Sequence, residues 1–386
     1  MKDKIASWIE SQRDVLTAMA DDIFDHPEAS LEEFRSSAMV ADYLEAQGFA
    51  VQRGLGSLPT AFRAAYKSGN GGVRIGLLCE YDALPNGHSC GHHMQGPAII
   101  GAAAALTAEL PGDYELVVYG TPAEENGVGK LKMLEEGYLK DIDVAFMMHA
   151  NPATQVDVRS MANVGALVTF HGKSAHAALK PEAGISALDA LLLAFHGIET
   201  MREHVKEDSR MHYVVKNGGK KANMVPDLAS GEFMLRSYSS TYLDYLVERF
   251  EKIIQGAALM TETTYDIEYD HRNEAKVPVI KLNDLVMEQA VYFDAPNIQP
   301  PRLKTGSTDF ANVMFYVPGT CIRIAFVEPG CTSHSQEYLD AGKTQMAHDA
   351  VICAAKILAA SAYELIEKPE LMKAIQEEFA ANKAKG

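Results

Sequence analysis

The chain has 386 residues, of which 47% are apolar and 23% are charged, a normal composition for a globular protein. Because this length exceeds the usual size of one hydrophobic core, we expect two domains. The formal net charge of −17 argues against a nucleic-acid partner, which needs a basic surface, and no segment approaches the roughly 18 apolar residues that cross a bilayer, so we expect no membrane partner.

The N-terminal segment predicts helices. It begins MKDKIASWIESQRDVL, which is charged and amphipathic and lacks the apolar stretch of a secretory signal, so we expect a cytoplasmic protein. Helical patterns cover residues 5–26 and 30–48, and the second ends at Gly48, as helices often do.

Three buried strands are predicted next. The runs VRIGLLCEYDAL (73–84), YELVVYGTPAEE (114–125) and VAFMMHA (144–150) are nearly continuous apolar segments. The segment GPAIIGAAAALTAEL (96–110) is small and apolar, which favours a helix packed closely on a sheet. Strands that alternate with helices predict an α/β domain with a mostly parallel sheet flanked by helices.

The pattern changes near residue 160. Strand and helix signals then follow the order βαββαβ to about residue 273, which predicts a two-layer α+β unit. A strand at 321–328 and a long helix at 344–366 return to the pattern of the first domain. We therefore expect one domain made of residues 1–160 and 274–386, with residues 161–273 inserted as a second domain.

Five scattered cysteines favour a reducing compartment over a disulfide framework. Cys90 is unusual among them because the stretch GHSCGHHMQG (87–96) also contains three histidines. Cys90 and His92 are two residues apart, so they can converge only from a turn. Thiolate and imidazole are good ligands for zinc and related divalent ions.

Further candidate ligands lie at the carboxyl ends of the next predicted strands, where ligands collect in parallel α/β sheets. Glu124 and Glu125 are adjacent carboxylates, which are costly unless a cation neutralises one of them. His149 ends the following strand, and His334 lies in a loop of the last segment. These residues predict a divalent metal site, while a Cys90 nucleophile with a histidine base is the thiol alternative.

Several motifs resemble a family of dinuclear metal-dependent amidohydrolases and peptidases that includes carboxypeptidase G, aminoacylase and indole-acetyl-amino-acid hydrolases. In order, they are EYDALP, GHSCGHH, GTPAEENGVGK, MMHANP, GKSAHAALKPEAGISALDA, NMVPD, GSTDF and TSHS. The resemblance runs from about residue 20 to 360, and EYDALP and GTPAEE are most similar to the branch of p-aminobenzoyl-glutamate hydrolase and the aminoacylase-like dipeptidases. It implies hydrolysis of an amide or peptide bond next to a free carboxylate, in an N-acyl amino acid, a dipeptide or an aminobenzoyl-glutamate-like substrate.

The resemblance implies a metal site with defined roles. Two divalent ions per subunit, zinc or manganese, would be held by Cys90, His92, Glu125, His149 and His334, with the thiolate as a candidate bridge. Glu124 would serve as general base and then as general acid. Asp82 would not bind the metal itself but would orient the imidazole of a histidine ligand.

The resemblance also implies that the inserted domain is a lid that mediates a homodimer. His176 would reach the active site of a partner subunit and stabilise the oxyanion. Asn223 and Arg236 would bind the substrate's carboxylate, and Gly306 would also contact the substrate.

Some positions depart from the family pattern. His93 stands where relatives often have Asp or Asn, Glu80 where other relatives have a first histidine ligand, and Thr308 where many have Glu. His88 matches the family but has no implied role. The alternative function is a non-catalytic protein that holds a carboxylate ligand on the same scaffold.

Overall fold

The computed structural model describes residues 1–385, which form two compact units. Unit 1 comprises Met1–Arg159 and Lys276–Lys385, and unit 2 comprises Ser160–Ala275. Unit 2 is therefore an insertion in the chain of unit 1. Within residues 1–385 we find no helix with both the length and the apolar character to cross a membrane.

The chain contains eleven strands within the described residues. In chain order they are β1 (Ala50–Leu55), β2 (Leu58–Ser68), β3 (Val73–Cys79), β4 (Tyr114–Gly120), β5 (Val144–Asn151), β6 (Gln155–Val156), β7 (Ala162–His171), β8 (Arg210–Asn217), β9 (Leu228–Ser237), β10 (Thr264–Asn273) and β11 (Gly319–Ala325).

Twelve α-helices connect and cover these strands over the same residues. They are α1 (Lys2–Ser11), α2 (Arg13–Asp25), α3 (Phe34–Ala46), α4 (Gln95–Glu109), α5 (Gly129–Glu135), α6 (Ala187–Arg202), α7 (Ser240–Thr261), α8 (Ile280–Tyr292), α9 (Phe310–Tyr316), α10 (Gln336–Ala341), α11 (Gln345–Glu367) and α12 (Pro369–Lys383). Two short 3₁₀ helices add His92–Met94 and Pro181–Ala183.

Unit 1 is a mixed seven-stranded sheet flanked by helices, with the order β1-β2-β4-β3-β5-β11-β6. The central strands β4, β3, β5 and β11 are parallel, as expected, whereas β1, β2 and β6 pair antiparallel. The central strands are almost fully buried, since helices cover both faces. Their carboxyl ends lie side by side along one edge, where the candidate site is found.

Helix α4 shows why small residues follow the cysteine-histidine stretch. Its residues from Gln95 to Leu106 are all buried, and it packs on α1, α2, α11 and the sheet. A Cβ added at Gly101 would lie 2.8 Å from a methyl group of Leu16. Glycine therefore permits the close approach of two helices at this point.

Unit 2 is the predicted βαββαβ arrangement, formed by β7, α6, β8, β9, α7 and β10. Its sheet is antiparallel with the order β10-β7-β9-β8, and the apolar faces of α6 and α7 cover one side of it. Strand β8 is an edge strand that exposes Tyr213, Val214 and Val215.

The structure corrects some details of the prediction. The first helical pattern is two helices, which meet at Gln12. The hairpin of β1 and β2 was not predicted. The strand predicted to include Glu124 and Glu125 ends at Gly120, so these carboxylates lie on the turn that follows it.

Candidate metal centre

The five expected metal ligands meet at the carboxyl ends of the central strands of unit 1. Three ligand atoms, one each from Cys90, His92 and His149, lie within 4.8 Å of one another. A second group with the same spacing consists of Cys90, Glu125 and His334. Cys90 belongs to both groups, which is the arrangement that a bridging ligand requires.

The turn at Gly91 places Cys90 and His92 on the same side. Gly91 has a left-handed φ of +84°, and a Cβ at this position would lie 2.3 Å from the Cβ of Ala150. Only glycine fits both the conformation and the space. As a result, the Cys90 Sγ lies 3.7 Å from the Nε2 of His149.

His334 reaches the site from the last segment of the chain. Its backbone N–H donates to the carbonyl oxygen of Ser89 at 2.8 Å, which fixes the loop beside the Cys90 turn. The Nε2 of His334 lies 3.8 Å from the Oε2 of Glu125. His334 also has a positive φ of 68°, which is uncommon for a non-glycine residue and marks a constrained backbone.

The donor atoms fit divalent cations. The Nε2 of His92 and the Oε1 of Glu125 are buried and have no hydrogen-bond partner within residues 1–385. Buried polar atoms without partners are rare, and a cation would satisfy both. A thiol, three imidazoles and a carboxylate form a ligand set typical of zinc and related ions.

Asp82 has the geometry expected of a residue that orients a ligand. The Nδ1 of His92 lies 3.0 Å from the carbonyl oxygen of Asp82 and 3.3 Å from its Oδ1, so Nδ1 must be the donor. The Nε2 is thereby left free to bind a cation. The Oδ2 of Asp82 accepts hydrogen bonds from the Ser30 hydroxyl at 2.8 Å and the Glu125 N–H at 3.0 Å.

The electrostatic environment of the two inner histidines also suits a cation. Burial, with help from Arg323 and His92, lowers the pKa of His149 to about 3, so its imidazole is neutral. Burial alone would lower the pKa of His92, but Cys90 and Asp82 raise it well above its usual value. The negative charge that attracts a proton to His92 would equally attract a metal ion.

The thiol alternative is weakened by the environment of Cys90. Burial raises the pKa of its thiol to about 11, although His92 acts in the opposite direction. A catalytic cysteine needs a lowered pKa, because the thiolate is the nucleophile. A bound cation would instead stabilise the thiolate by direct coordination.

Glu124 lies beside the ligands without belonging to either group that contains Cys90. Its Oε2 is 3.8 Å from the Nε2 of His92. Burial raises the pKa of Glu124 well above its usual value, and the charges of Glu80 and Asp309 add to this effect. A raised pKa suits a carboxyl group that must accept a proton and then return it.

The turn before Glu124 is held by a residue that the sequence did not reveal. Ala123 has a φ of +56°, a strained conformation for a residue with a Cβ. The buried Glu33 accepts a hydrogen bond from the Ala123 N–H at 2.8 Å and another from the Thr60 hydroxyl at 2.8 Å. Glu33 therefore stabilises the conformation that positions Glu124.

A buried ion network lies beneath the site and was also not predicted. Lys130 is fully buried, and its Nζ lies 2.5 Å from Glu80 and 2.8 Å from Asp309. Gln95 donates to the other oxygen of Glu80 at 2.6 Å. Glu80 forms a third possible ligand group with His92 and Glu124, but its carboxylate is already paired with the Lys130 ammonium.

The other predicted residues of unit 1 lie outside this cluster. Gly306 lines a cavity that also includes His149 and Thr308. The Nε2 of His93 donates to the carbonyl oxygen of Gly342 at 2.9 Å, and its ring packs against Phe24. His88 lies beside the His93 ring, so both histidines occupy the interior, and neither is in a ligand group found within residues 1–385.

The remaining predicted residues belong to unit 2. The exposed His176 and Asn223 lie on neighbouring loops, because the Ala177 N–H donates to the Asn223 carbonyl at 3.1 Å. Arg236 is half-buried near the end of β9.

Comparisons with known proteins agree on one family. Residues 77–362 match the model of peptidase family M20/M25/M40. The chain is 33% identical to the Xaa-Arg dipeptidase of Mus musculus, over 98% of this chain and 92% of the relative. It is 32% identical to one of the subunits of the p-aminobenzoyl-glutamate hydrolase of Escherichia coli K12, over 96% of this chain and 93% of the relative.

Solved structures show the same fold. A putative aminohydrolase from methicillin-resistant Staphylococcus aureus superposes with a TM-score of 0.80 at 17% identity, covering 95% of this chain and 99% of that one. A dinuclear metal-binding peptidase from Bacillus subtilis superposes with a TM-score of 0.72 at 20% identity, covering 93% and 99%. Both expected architectures, the helix-flanked sheet and the second sheet unit, are thus confirmed.

Proposed function

Because the chain belongs to peptidase family M20/M25/M40, a family of metal-dependent amide hydrolases, we propose that it cleaves an amide or peptide bond adjacent to a free carboxylate. The substrate class is an N-acyl amino acid, a dipeptide or an aryl amide of glutamate. The activities for which the two relatives are named support this class, since both act on amides of amino acids.

We infer that two divalent ions, zinc or manganese, bind to Cys90, His92, Glu125, His149 and His334. The observation that carries this proposal is the presence of Cys90 in both ligand groups. Bound ions of this kind would supply a more acidic attacking water and a polarised scissile carbonyl.

The chain's own residues supply the proton transfers. Glu124 takes a proton from the attacking water and returns it to the leaving nitrogen, a step that an amide needs because an amine anion is a very poor leaving group. Asp82 holds the His92 ring and the Glu125 backbone in place during this exchange. Glu33 stabilises the turn that precedes Glu124, and Lys130 pairs with the buried carboxylates of Glu80 and Asp309.

Unit 2 is proposed to bind the substrate and form a homodimer. In unit 2, Asn223 and Arg236 grip the substrate's carboxylate, and His176 from a partner subunit stabilises the oxyanion. Gly306 of unit 1 also contacts the substrate. The exposed valines of the β8 edge strand support a dimer, since an uncovered apolar edge readily pairs with another chain. The five free cysteines support a cytoplasmic location.

The experiment that tests this function is a hydrolysis screen with controlled metal content. Purified protein is stripped with a chelator, reloaded with zinc or manganese, and assayed on N-acyl amino acids, dipeptides and p-aminobenzoyl-glutamate. We expect turnover only in the reloaded protein. Activity that survives the chelator and is lost only to a thiol alkylator would contradict the proposal.

A further inference from the structure

A cavity of about 220 Å³ adjoins the metal centre within unit 1. Eleven residues line it, and one of them is His149. Among the described residues, the lining includes Arg302 and Arg323 but no Asp or Glu. Its volume is below the roughly 300–1,000 Å³ of pockets that hold whole ligands, so it suits a single substituent.

Arg323 is placed to present free donors beside the metal centre. On β11 it is in direct register with His149 on β5, so the two side chains extend from the same face of the sheet. Its Nε donates to Asp157 at 2.9 Å. Within residues 1–385 its two terminal nitrogens, which carry the other four of the five guanidinium N–H groups, have no hydrogen-bond partner.

The local charges leave one positive charge uncompensated. Arg302 also binds Asp157, through two hydrogen bonds of 2.6 and 2.9 Å. Burial raises the pKa of Asp157, but Arg323 and Arg302 outweigh it and hold the pKa at about 2. One carboxylate therefore faces two guanidinium groups, which gives this cavity a positive charge in a strongly acidic protein.

Ser307 provides an independent indication of a polar ligand. Its hydroxyl oxygen is buried, has no hydrogen-bond partner within the described chain, and belongs to a residue that lines the cavity. A buried hydroxyl without a partner is costly, and an acceptor in the cavity would satisfy it.

A second cavity next to the site has the opposite character. It measures about 480 Å³ and is lined by Glu28 and Glu125, by the uncharged polar residues Ser30 and Asn126, and by glycine and apolar residues. Its lining includes no Lys or Arg of the part of the chain that the structure describes. Glu28, which is not among the proposed metal ligands, would repel a carboxylate that enters this cavity, because the two groups have the same charge. Of the two cavities, the one beside Arg323 is therefore the better match for an anionic group.

We propose that Arg323, supported by Arg302 and Ser307, forms a specificity pocket for a carboxylate on the side chain of the substrate's amino acid. The preferred substrates are then amides of dicarboxylic amino acids such as glutamate. This inference rests on the proposed hydrolase function and narrows its substrate class. It also predicts that this chain does not share the preference for a basic residue that the name of the Xaa-Arg dipeptidases indicates.

The first test compares N-acetyl-glutamate with N-acetyl-glutamine, which has the same shape without the charge. We expect wild-type kcat/KM to favour the glutamate compound by roughly 10- to 100-fold, as for a hydrogen-bonded charge. Arg323→Gln should reduce this ratio to about 1 while retaining turnover of the glutamine compound. A ratio near 1 in the wild type, or one that Arg323→Gln leaves unchanged, would overturn the pocket.

Two controls separate specificity from folding. Arg63→Gln removes a comparable arginine that binds Asp141 through two hydrogen bonds elsewhere in unit 1, and it should leave the ratio intact. Arg302→Gln removes the other arginine that binds Asp157, which is more exposed than Arg323. It should reduce the preference for the glutamate compound even if Arg323→Gln unfolds. Thermal melting of all three variants identifies any loss of structure.

The second test does not need turnover. Calorimetric binding of both N-acetyl compounds is measured in a Glu124→Gln background, with and without Arg323→Gln. Tighter binding of the glutamate compound that Arg323→Gln abolishes would support the pocket. If no hydrolysis is seen as well, that second result would contradict only the proposed function. Equal binding of the two compounds contradicts the pocket, whatever the hydrolytic activity.

Discussion

At the scale of single residues, the adjacent Glu124 and Glu125 have different environments. Glu125 faces His334, and its backbone N–H is held by Asp82, whereas Glu124 faces His92 and has a raised pKa. We expect Glu124→Gln to lower kcat by roughly 10²- to 10⁴-fold, because it removes the proton acceptor while keeping the shape. The measurement is steady-state kinetics together with metal content by mass spectrometry.

Glu125→Gln is the matched control for this experiment. It should lose metal, since it alters a proposed ligand, whereas Glu124→Gln should keep its full metal content. If the losses of metal are reversed between the two variants, the roles assigned to these glutamates are exchanged.

Replacement of Lys130 is expected to have a large effect on the stability of the protein. Lys130→Met keeps most of the volume but leaves Glu80 and Asp309 without their buried cation. We expect the free energy of unfolding to fall by about 3–5 kcal/mol, as when one partner of a buried ion pair is removed. Urea unfolding measures this value.

The control for Lys130→Met is Lys132→Met, on the same helix but partly exposed. It should change stability by less than about 0.5 kcal/mol, the usual range for surface substitutions. Equal effects of the two substitutions would mean that the ion network beneath the site contributes nothing to the free energy of unfolding.

Residue chemistry explains which parts of the site the sequence reveals. Cys90 and His92 occur in a dense cluster, and Glu124 and Glu125 form a conspicuous pair, so both attract attention in the sequence. The ion pair of Lys130 and Glu80 does not, because 50 residues separate the two and nothing in the sequence marks Lys130 as the partner of Glu80. Only the packing of α5 against the sheet brings them together.

At the scale of elements, buried strands and helices with continuous apolar sequences were predicted well. β3, β5 and α4 have continuous apolar sequences, and each was predicted from that pattern. β1 was missed because most of its side chains are exposed or half-buried, including Gln52 and Arg53, so it lacks the apolar signal of a buried strand.

Asp157 follows β6 and links it to later elements of unit 1. It binds Arg323 on β11 and Arg302 in the segment between α8 and α9. Its folded-state pKa of about 2 lies below its usual 3.8, so its ion pairs stabilise the fold above about pH 4 and lose this effect as the pH falls. Between pH 5 and pH 3, the free energy of unfolding should fall by about 1 kcal/mol more in the wild type than in Asp157→Asn.

Urea unfolding at the two pH values provides the comparison for Asp157. The exposed Asp284→Asn serves as the control for the loss of one negative charge and should follow the wild type. Parallel pH dependence in wild type and Asp157→Asn would show that this carboxylate does not act through its ion pairs.

At the scale of the whole molecule, the proposed dimer makes a distinctive prediction. If His176 acts in the partner's active site, His176→Ala and Glu124→Gln subunits, each inactive alone, should form mixed dimers in which one site has both residues. We expect activity to return to roughly a quarter of the wild-type level after random re-assembly, because half of the dimers are mixed and each has one intact site. Activity assays after mixing measure this recovery.

Proof of subunit exchange, by native mass spectrometry of differently tagged subunits, is needed beside that assay. Mixed dimers without recovered activity would exclude a role for His176 across the interface. Substitution of Val214 by Asp, on the exposed edge of β8, should weaken the dimer and abolish the recovery.

The central claim is that five side chains from distant parts of the chain bind two divalent ions. It is tested most directly by counting the metal ions per chain in reconstituted protein, using mass spectrometry under native conditions. We predict two ions in the wild type and fewer in Cys90→Ala, since Cys90 belongs to both ligand groups. A wild-type protein that binds no ion, or a Cys90→Ala variant that binds two as tightly as the wild type, would contradict the account.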